Sequence, residues 1–341
     1  MDSTWLKSAL LGSKARIAVT AVGALVVALG ATVGLGVFGV PSLESVDNEF
    51  GETNETTTVV ATDLTLDNPN PFGTGFVGVS AEYAIRMNDV EMAEGTKDDI
   101  DICTGRSTVH LETYMDNKRI PDWWVSHVRN DEQTEVAIDA EVQAAGQAVP
   151  IERERTINTS MIERFNSNET RPINGSTLLV DDPVLYVNQT RGDWGEVTES
   201  ETPIDTSFVA YNPKSVPYTV TEMRYEITMN DVTVGEGTSR EEYVIAPGTT
   251  ERISTRTAIR NENLDDWWVT HVRNDEVTEL RIEFEATVQL DDPSSITGET
   301  VEIRVPLNEL THEETIETDL LGSENGTDDR TENVSRSVPR A

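Results

Sequence analysis

The stretch Asp122-Trp123-Trp124-Val125-Ser126-His127-Val128-Arg129-Asn130-Asp131-Glu132 returns as Asp266-Trp267-Trp268-Val269-Thr270-His271-Val272-Arg273-Asn274-Asp275-Glu276. Ten of the eleven positions are identical at a spacing of 144, and the two copies hold four of the six tryptophans and two of the four histidines. The period inside each copy is helical. Ile120, Trp124 and Val128 are four apart and share one face, with Trp123 and His127 in the neighbouring row. Pro121 suits a first helical position, Asp122 adds negative charge to the first turn, and Asn130 is a stop signal.

Outward from this helix the period is two, as in strands with one buried face. Val60, Thr62, Leu64 and Leu66 alternate up to the turn cluster Asn68-Pro69-Asn70-Pro71-Phe72-Gly73. Val79, Ala81, Tyr83, Ile85 and Met87 follow, then Asn88-Asp89 as a hairpin turn, Val90 and Met92 on the return, and Val109, Leu111 and Thr113. After the helix come Val136, Ile138, Ala140 and Val142, then Val149, Ile151 and Ile157. The second copy keeps this order with Ile204 to Ala210, Asn212-Pro213, Met223 to Met229, Asn230-Asp231, Ile253 to Thr257, the helix, Leu280 to Val288, and Val301 to Leu307. Six or seven short strands with one short helix is the rhythm of an antiparallel β-sandwich of roughly a hundred residues. The expectation is a mainly β chain with sandwiches at 58–160 and 197–310, a sequon-rich connector at 161–196, and an acidic disordered tail at 311–341.

The N-terminal part reads differently. Residues 1–16 carry Lys7, Lys14 and Arg16, and Ile17 to Val40 then runs 24 residues without a charge. That is long enough for one membrane-spanning helix, here 17–40, followed by an acidic stalk at 41–57. Positive charge before the run and negative charge after it orient residues 1–16 to the cytoplasm and the remainder outside. The competing reading is a cleaved signal peptide with Ala28-Leu29-Gly30 as its site, and the length of the run favours a retained anchor. Asn-X-Ser/Thr sequons at Asn54, Asn158, Asn168, Asn174, Asn188, Asn325 and Asn333 all follow the apolar run and lie outside the strand segments just assigned, as acceptors on accessible surface should.

The formal charge is −36, from 62 acidic and 26 basic residues. Such a chain repels itself at low salt, while at molar salt the Debye length falls to roughly 3 Å and the repulsion is screened. The composition therefore reads as adaptation to high salt. An acidic chain without a basic stripe excludes nucleic acid as a partner. A single cysteine, Cys103, excludes a disulfide framework and a thiolate cluster.

The order of strand, Asn-Pro turn, alternating strands and short helix before the last strand pair resembles the late-embryogenesis-abundant type 2 family, also called the WHy (water stress and hypersensitive response) domain. The residues that carry it are Asn68, Pro69, Asn70 and Pro71, the Tyr83 strand with Met87-Asn88-Asp89-Val90, and the Pro121–Arg129 helix. In the second copy Asn212-Pro213 is followed by Lys214-Ser215, so the double Asn-Pro is lost. The resemblance implies tandem fibronectin type III/immunoglobulin-like sandwiches and a role in desiccation or osmotic stress. The anchored, acidic, tandem form is similar to members from halophilic archaea.

No catalytic, cofactor or metal site is expected. His127 and His271 stand beside Trp123, Trp124, Arg129 and Trp267, Trp268, Arg273, but one histidine per unit does not supply three or four metal ligands. The repeated segment reads as a structural helix that plugs a sandwich. There is no Gly-X-Ser-X-Gly elbow and no Asp-X-Asp-X-Asp-Gly calcium loop. The leading expectation is a non-enzymatic, single-pass membrane protein acting under water or salt stress. The alternatives are an adhesion or scaffold protein that binds a glycan or protein, and a lipid-binding module beside the membrane.

Overall fold

The computed structural model describes residues 42–75, 78–144, 147–174, 182–291 and 300–318, and the chain is mainly β with a few short helices. The expected membrane-spanning segment 17–40 lies outside the described residues, among which no helix is long and apolar enough to cross a membrane.

In the first repeat seven antiparallel strands form one curled sheet. Their order is β1 (Ser42–Thr53), β2 (Thr57–Asn68), β5 (Gly105–Asp116), β4 (Val90–Lys97), β3 (Val79–Met87), β6 (Gln133–Ala144) and β7 (Gln147–Asn158). Every second residue of β2 is buried, among them Val60, Leu64 and Leu66. The curl falls between β4 and β5, which are joined only through the pair Ala93 and Met115.

In the second repeat the same strands make two sheets. One runs β14 (Thr250–Arg260), β10 (Glu201–Tyr211), β9 (Leu185–Trp194), β8 (Arg171–Ile173). The other runs β12 (Val232–Ser239), β11 (Tyr218–Met229), β15 (Val277–Asp291), β16 (Thr300–Pro306), with β13 (Tyr243–Ile245) on β11 and β17 (His312–Glu317) on β15. The sheets face each other through Phe208 of β10 and Phe284 of β15, whose rings meet edge-on at 5.0 Å. Gly235 stands where the first repeat has Ala93. A Cβ there would collide with the carbonyl oxygen of Ala258, so the glycine admits a close backbone approach.

Both hairpin turns put two residues at positive φ, Asn88 and Asp89 at 49° and 64°, and Asn230 and Asp231 at 48° and 63°. That is the type I′ turn that matches strand twist, and asparagine tolerates it better than most residues. Each turn asparagine also ties the hairpin to the strand beyond it. Asn88 accepts from the Glu135 N–H and donates to the Gln133 carbonyl, and Asn230 does the same with Glu279 and Val277.

Three expected boundaries differ. The 41–57 stalk contains β1, paired along β2. The 161–196 connector contains β8 and β9, and Phe165, Ile173, Val184, Leu185 and Val187 in it are buried. One physical cause hid both strands: a bulge breaks their alternation at equivalent places, with Glu44 extra in β1 and Asn188 extra in β9. The expected tail at 311–341 begins with β17, paired residue by residue with β15, and residues 319–341 lie outside the described part.

Candidate functional site

Helix α1 (Ile120–Arg129) and helix α2 (Leu264–Arg273) each follow a single 3-10 turn, Asn117–Arg119 and Asn261–Asn263. The Asp116 side chain accepts from the Lys118 N–H and caps the first of these turns. After each helix two residues in the left-handed region, Asp131 and Glu132 (φ 54° and 57°) or Asp275 and Glu276 (φ 53° and 60°), turn the chain into the next strand.

The two helices pack on each other where the repeats meet, and the polar contacts across that junction are reciprocal. Trp124 donates its indole N–H to Thr202 of the second repeat at 3.1 Å, and Trp268 donates to Thr58 of the first at 3.1 Å. The hydroxyls pass the hydrogen bond on, Thr202 to Asn261 at 2.8 Å and Thr58 to Asn117 at 2.7 Å. All four of these threonines and asparagines are fully buried. Arg129 donates to the Val197 carbonyl at 2.8 and 3.2 Å, and Arg273 to the Thr53 carbonyl at 2.8 Å. Trp124 and Trp267 meet edge-on at 6.0 Å, as do Trp123 and Trp268 at 6.5 Å. Outside them, Trp194 of β9 covers Trp124 at 6.4 Å and Phe50 of β1 covers Trp268 at 6.1 Å. Trp124 and Trp268 are 3% exposed, and one apolar cluster runs from Met92, Ile120 and Val128 into the core of the second repeat.

A second polar chain runs within each repeat. Trp123 donates to Thr134 (3.0 Å), Thr134 contacts His127 Nδ1 (2.7 Å), His127 Nε2 contacts Thr159 (2.9 Å), and Thr159 donates to Glu132 (2.8 Å). Indole nitrogen only donates and an ionised carboxylate only accepts, so with both ends fixed each hydroxyl between them points one way. His127 is thereby a neutral imidazole carrying its proton on Nε2. The second repeat repeats the series through Trp267, Thr278, His271, Thr318 and Glu276. Burial pushes both imidazoles down to about 4, in His127 against the opposing charge of Glu132. Burial would raise Glu132 itself, but bonds from the Met161 N–H, the Trp194 indole, the Ile162 N–H and Thr159 hold it below the usual carboxylate range.

Chemically this arrangement is a buried joint in which the indole, imidazole, threonine and asparagine groups named above are hydrogen-bonded, while the buried Thr53 hydroxyl beside Arg273 has no partner. Each histidine nitrogen faces a threonine hydroxyl, and among the described residues no group of three His, Cys, Asp or Glu is placed to hold a metal ion. A partly open apolar hollow beside Trp124, Ile162, Phe165, Trp194 and Ile227 measures about 30 Å³, room for little more than a water. Two larger concavities, 620 Å³ over Glu82, Glu94 and Asp139 and 560 Å³ over Glu226, Glu236 and Glu283, are open charged troughs at the same place in the two repeats.

The turn asparagines have a defined task. Asn68 is buried and donates to the carbonyls of Phe72 and Ile102 while accepting from the Asn70 N–H. Asn212 does the same with Val216, Ile245 and the Lys214 N–H. In the first repeat the Asn70 side-chain amide also donates to Asn68, at 2.7 Å, whereas the second repeat, with Lys214 at that position, keeps the backbone N–H bond. Of the sequons, Asn54, Asn158, Asn168 and Asn174 are exposed. Asn158 closes β7, and Asn188 sits half-buried inside β9, contrary to the expectation that sequons avoid strands. Asn325 and Asn333 lie outside the described residues.

Sequence reading singled out the helix and missed what receives it: Thr58, Asn117, Thr202, Asn261, Phe50 and Trp194. A signal for them existed, since Thr58/Thr202 and Asn117/Asn261 recur at the same spacing of 144 as the helix.

A comparison with curated proteins finds no match. Among solved structures, a protein from Archaeoglobus fulgidus is 26% identical, covering 39% of this chain and 97% of its own, with a TM-score of 0.33. A solution structure from Arabidopsis thaliana is 12% identical over 35% of this chain and 80% of its own, with a TM-score of 0.27. The red sea bream transglutaminase is 11% identical over 77% of this chain and 31% of its own, with a TM-score of 0.18. Residues 208–305, the body of the second repeat, match the family described as Late embryogenesis abundant protein, in its type 2 form.

Proposed function

We propose that the chain is a non-enzymatic stress protein that acts under drying or osmotic load, and that its two repeats are tandem fibronectin type III/immunoglobulin-like sandwiches held outside a membrane by the apolar segment 17–40. The family match at residues 208–305 carries the stress-related part of this reading. The net charge of −36 supports a high-salt setting. The buried, hydrogen-bonded histidines and the buried tryptophan joint support a structural rather than a catalytic use of the repeated helix. Of the alternatives, lipid binding has the least support, because the small apolar hollow among the described residues, about 30 Å³, is too small for an acyl chain.

Survival tests the role. Cells lacking the chain should recover less well than their parent after drying or a sudden salt change, and the intact chain should restore them. Equal recovery of both strains would remove the reading. Protease added to intact cells tests the topology: digestion of both repeats is expected, and their full protection would overturn the anchored arrangement.

A further inference from the structure

The junction between the repeats has the form of a twofold interface made within one chain. In such an interface residue i of one partner meets residue j of the other, and j meets i. Here Trp124 meets Thr202 while Trp268 meets Thr58, and Arg129 meets Val197 while Arg273 meets Thr53. Each repeat therefore carries both halves of the lock, the inserting tryptophan and arginine and the receiving threonine, asparagine and carbonyl. The donors and receivers that do the docking are the same residue types on both sides, except that the carbonyls belong to Val197 and Thr53 and take no side chain into account.

The link between the repeats is short. Thr159 is held by the first repeat through His127 and Glu132, and Phe165 and Ile162 at the next turn lie against Gly192 of β9 in the second. Only Ser160 and Met161 stand between Thr159 and Ile162, and the Met161 and Ile162 N–H groups are themselves bound across the junction by Glu132. Short connections of this kind favour exchange of equivalent units between chains, since straightening the joint parts the repeats within a chain without altering either surface.

We propose that the helix-bearing face of each repeat is a docking surface for a second copy of this chain, occupied when two chains straighten at Ser160 and exchange repeats. The first repeat of one chain then docks on the second repeat of its partner, and the reverse. Every bond across the junction is re-formed, including the cap that Glu132 places on the Met161 and Ile162 N–H groups and on Trp194. Closure within one chain competes through its high effective concentration, so exchange grows with protein concentration and with anything that hinders the bend at Ser160.

The test uses Lys118, in the 3-10 turn of the first repeat that packs against the helix of the second, and Asp265 in that helix. Full chains labelled with light or heavy nitrogen are mixed at high concentration in molar salt, warmed gently, cooled, separated by size and treated with a carbodiimide that joins the Lys118 amine to the Asp265 carboxylate. Lys118–Asp265 peptides of mixed label are expected in the dimer fraction, with same-label peptides in the monomer. Deleting Ser160 should shift the chain towards the mixed-label dimer, and inserting a flexible glycine-serine linker there should shift it back to monomer. Same-label peptides alone in every fraction of the parent chain would overturn the proposal, whether or not the deletion variant folds. A dimer whose Lys118–Asp265 peptides remain same-label would overturn it as well, by placing the contact elsewhere.

Discussion

Thr58 and Thr202 each stand between a tryptophan donor and an asparagine acceptor in a place water does not reach. Replacing either by valine keeps the shape but leaves an indole N–H and an amide oxygen unpaired, at a cost of about 1–3 kcal/mol. Urea unfolding of Thr58→Val and Thr202→Val should show that loss for each, and an unchanged midpoint would mean the hydroxyls contribute nothing. The histidines set a pH dependence. In the folded chain their pKa is lowered to about 4 by burial, while in the unfolded chain it lies near 6.5. The unfolded state therefore takes up protons first. The stability they permit is fully present above about pH 6.5 and is lost as pH falls towards 4, by about 3 kcal/mol for each histidine at most. The depressed Glu132 carboxylate adds a further loss through the acid range, in the same direction. Unfolding midpoints measured from pH 7.5 to 4.5 should fall steeply, and His127→Gln should flatten that slope by removing one titrating group.

At the scale of elements, β1 and β9 and the close approach of two strands at Gly235 bear on stability. β1 pairs along β2 and β9 along β10, and each contributes one aromatic, Phe50 or Trp194, that covers a junction tryptophan. Gly235 on β12 is where a strand comes against the carbonyl of Ala258 on β14. Gly235→Ala would force the two sheets of the second repeat apart, with a loss of about 1–3 kcal/mol, typical of overpacking. Gly248, at a φ of 69° with nothing near its Cβ direction, makes a useful contrast, because alanine there is strained by the backbone alone. Thermal unfolding of Gly235→Ala would decide the matter, and a melting temperature equal to the parent's would show that the sheets can separate freely.

For the whole molecule, the tryptophan junction couples the repeats. The apolar cluster crosses from α1 into the second repeat without a break, so damage on one side reaches the other. Trp124→Ala should cost about 3–5 kcal/mol. It should lower the unfolding of both repeats together, seen as a single calorimetric transition displaced to lower temperature. Two transitions, one of them unmoved, would show that the repeats are energetically separate. Net charge acts at the same scale. With −36 charges, moving the protein from about 3 M to about 0.1 M salt lengthens the Debye screening distance several-fold and should unfold it. A melt unaffected by that transfer would contradict the high-salt reading.

Much of this was legible in the residues. A strand with one wet face must alternate, a short amphipathic helix must recur at three and four, and a duplicated unit must show its spacing, so the strand order, the hairpin turns at Asn88 and Asn230 and both helices could be read from the chain alone. The equivalent strands β1 and β9 could not, because the bulges at Glu44 and Asn188 shift the inward set by one residue and erase the period. Nor could the destination of the tryptophans. Local pattern says that Trp124 and Trp268 must be buried, but burial is satisfied equally by a residue's own repeat or by its neighbour. Only the packing of the two repeats against each other sends Trp124 to Thr202 and Trp268 to Thr58, since that choice depends on contacts between residues 78 and 210 positions apart in the chain.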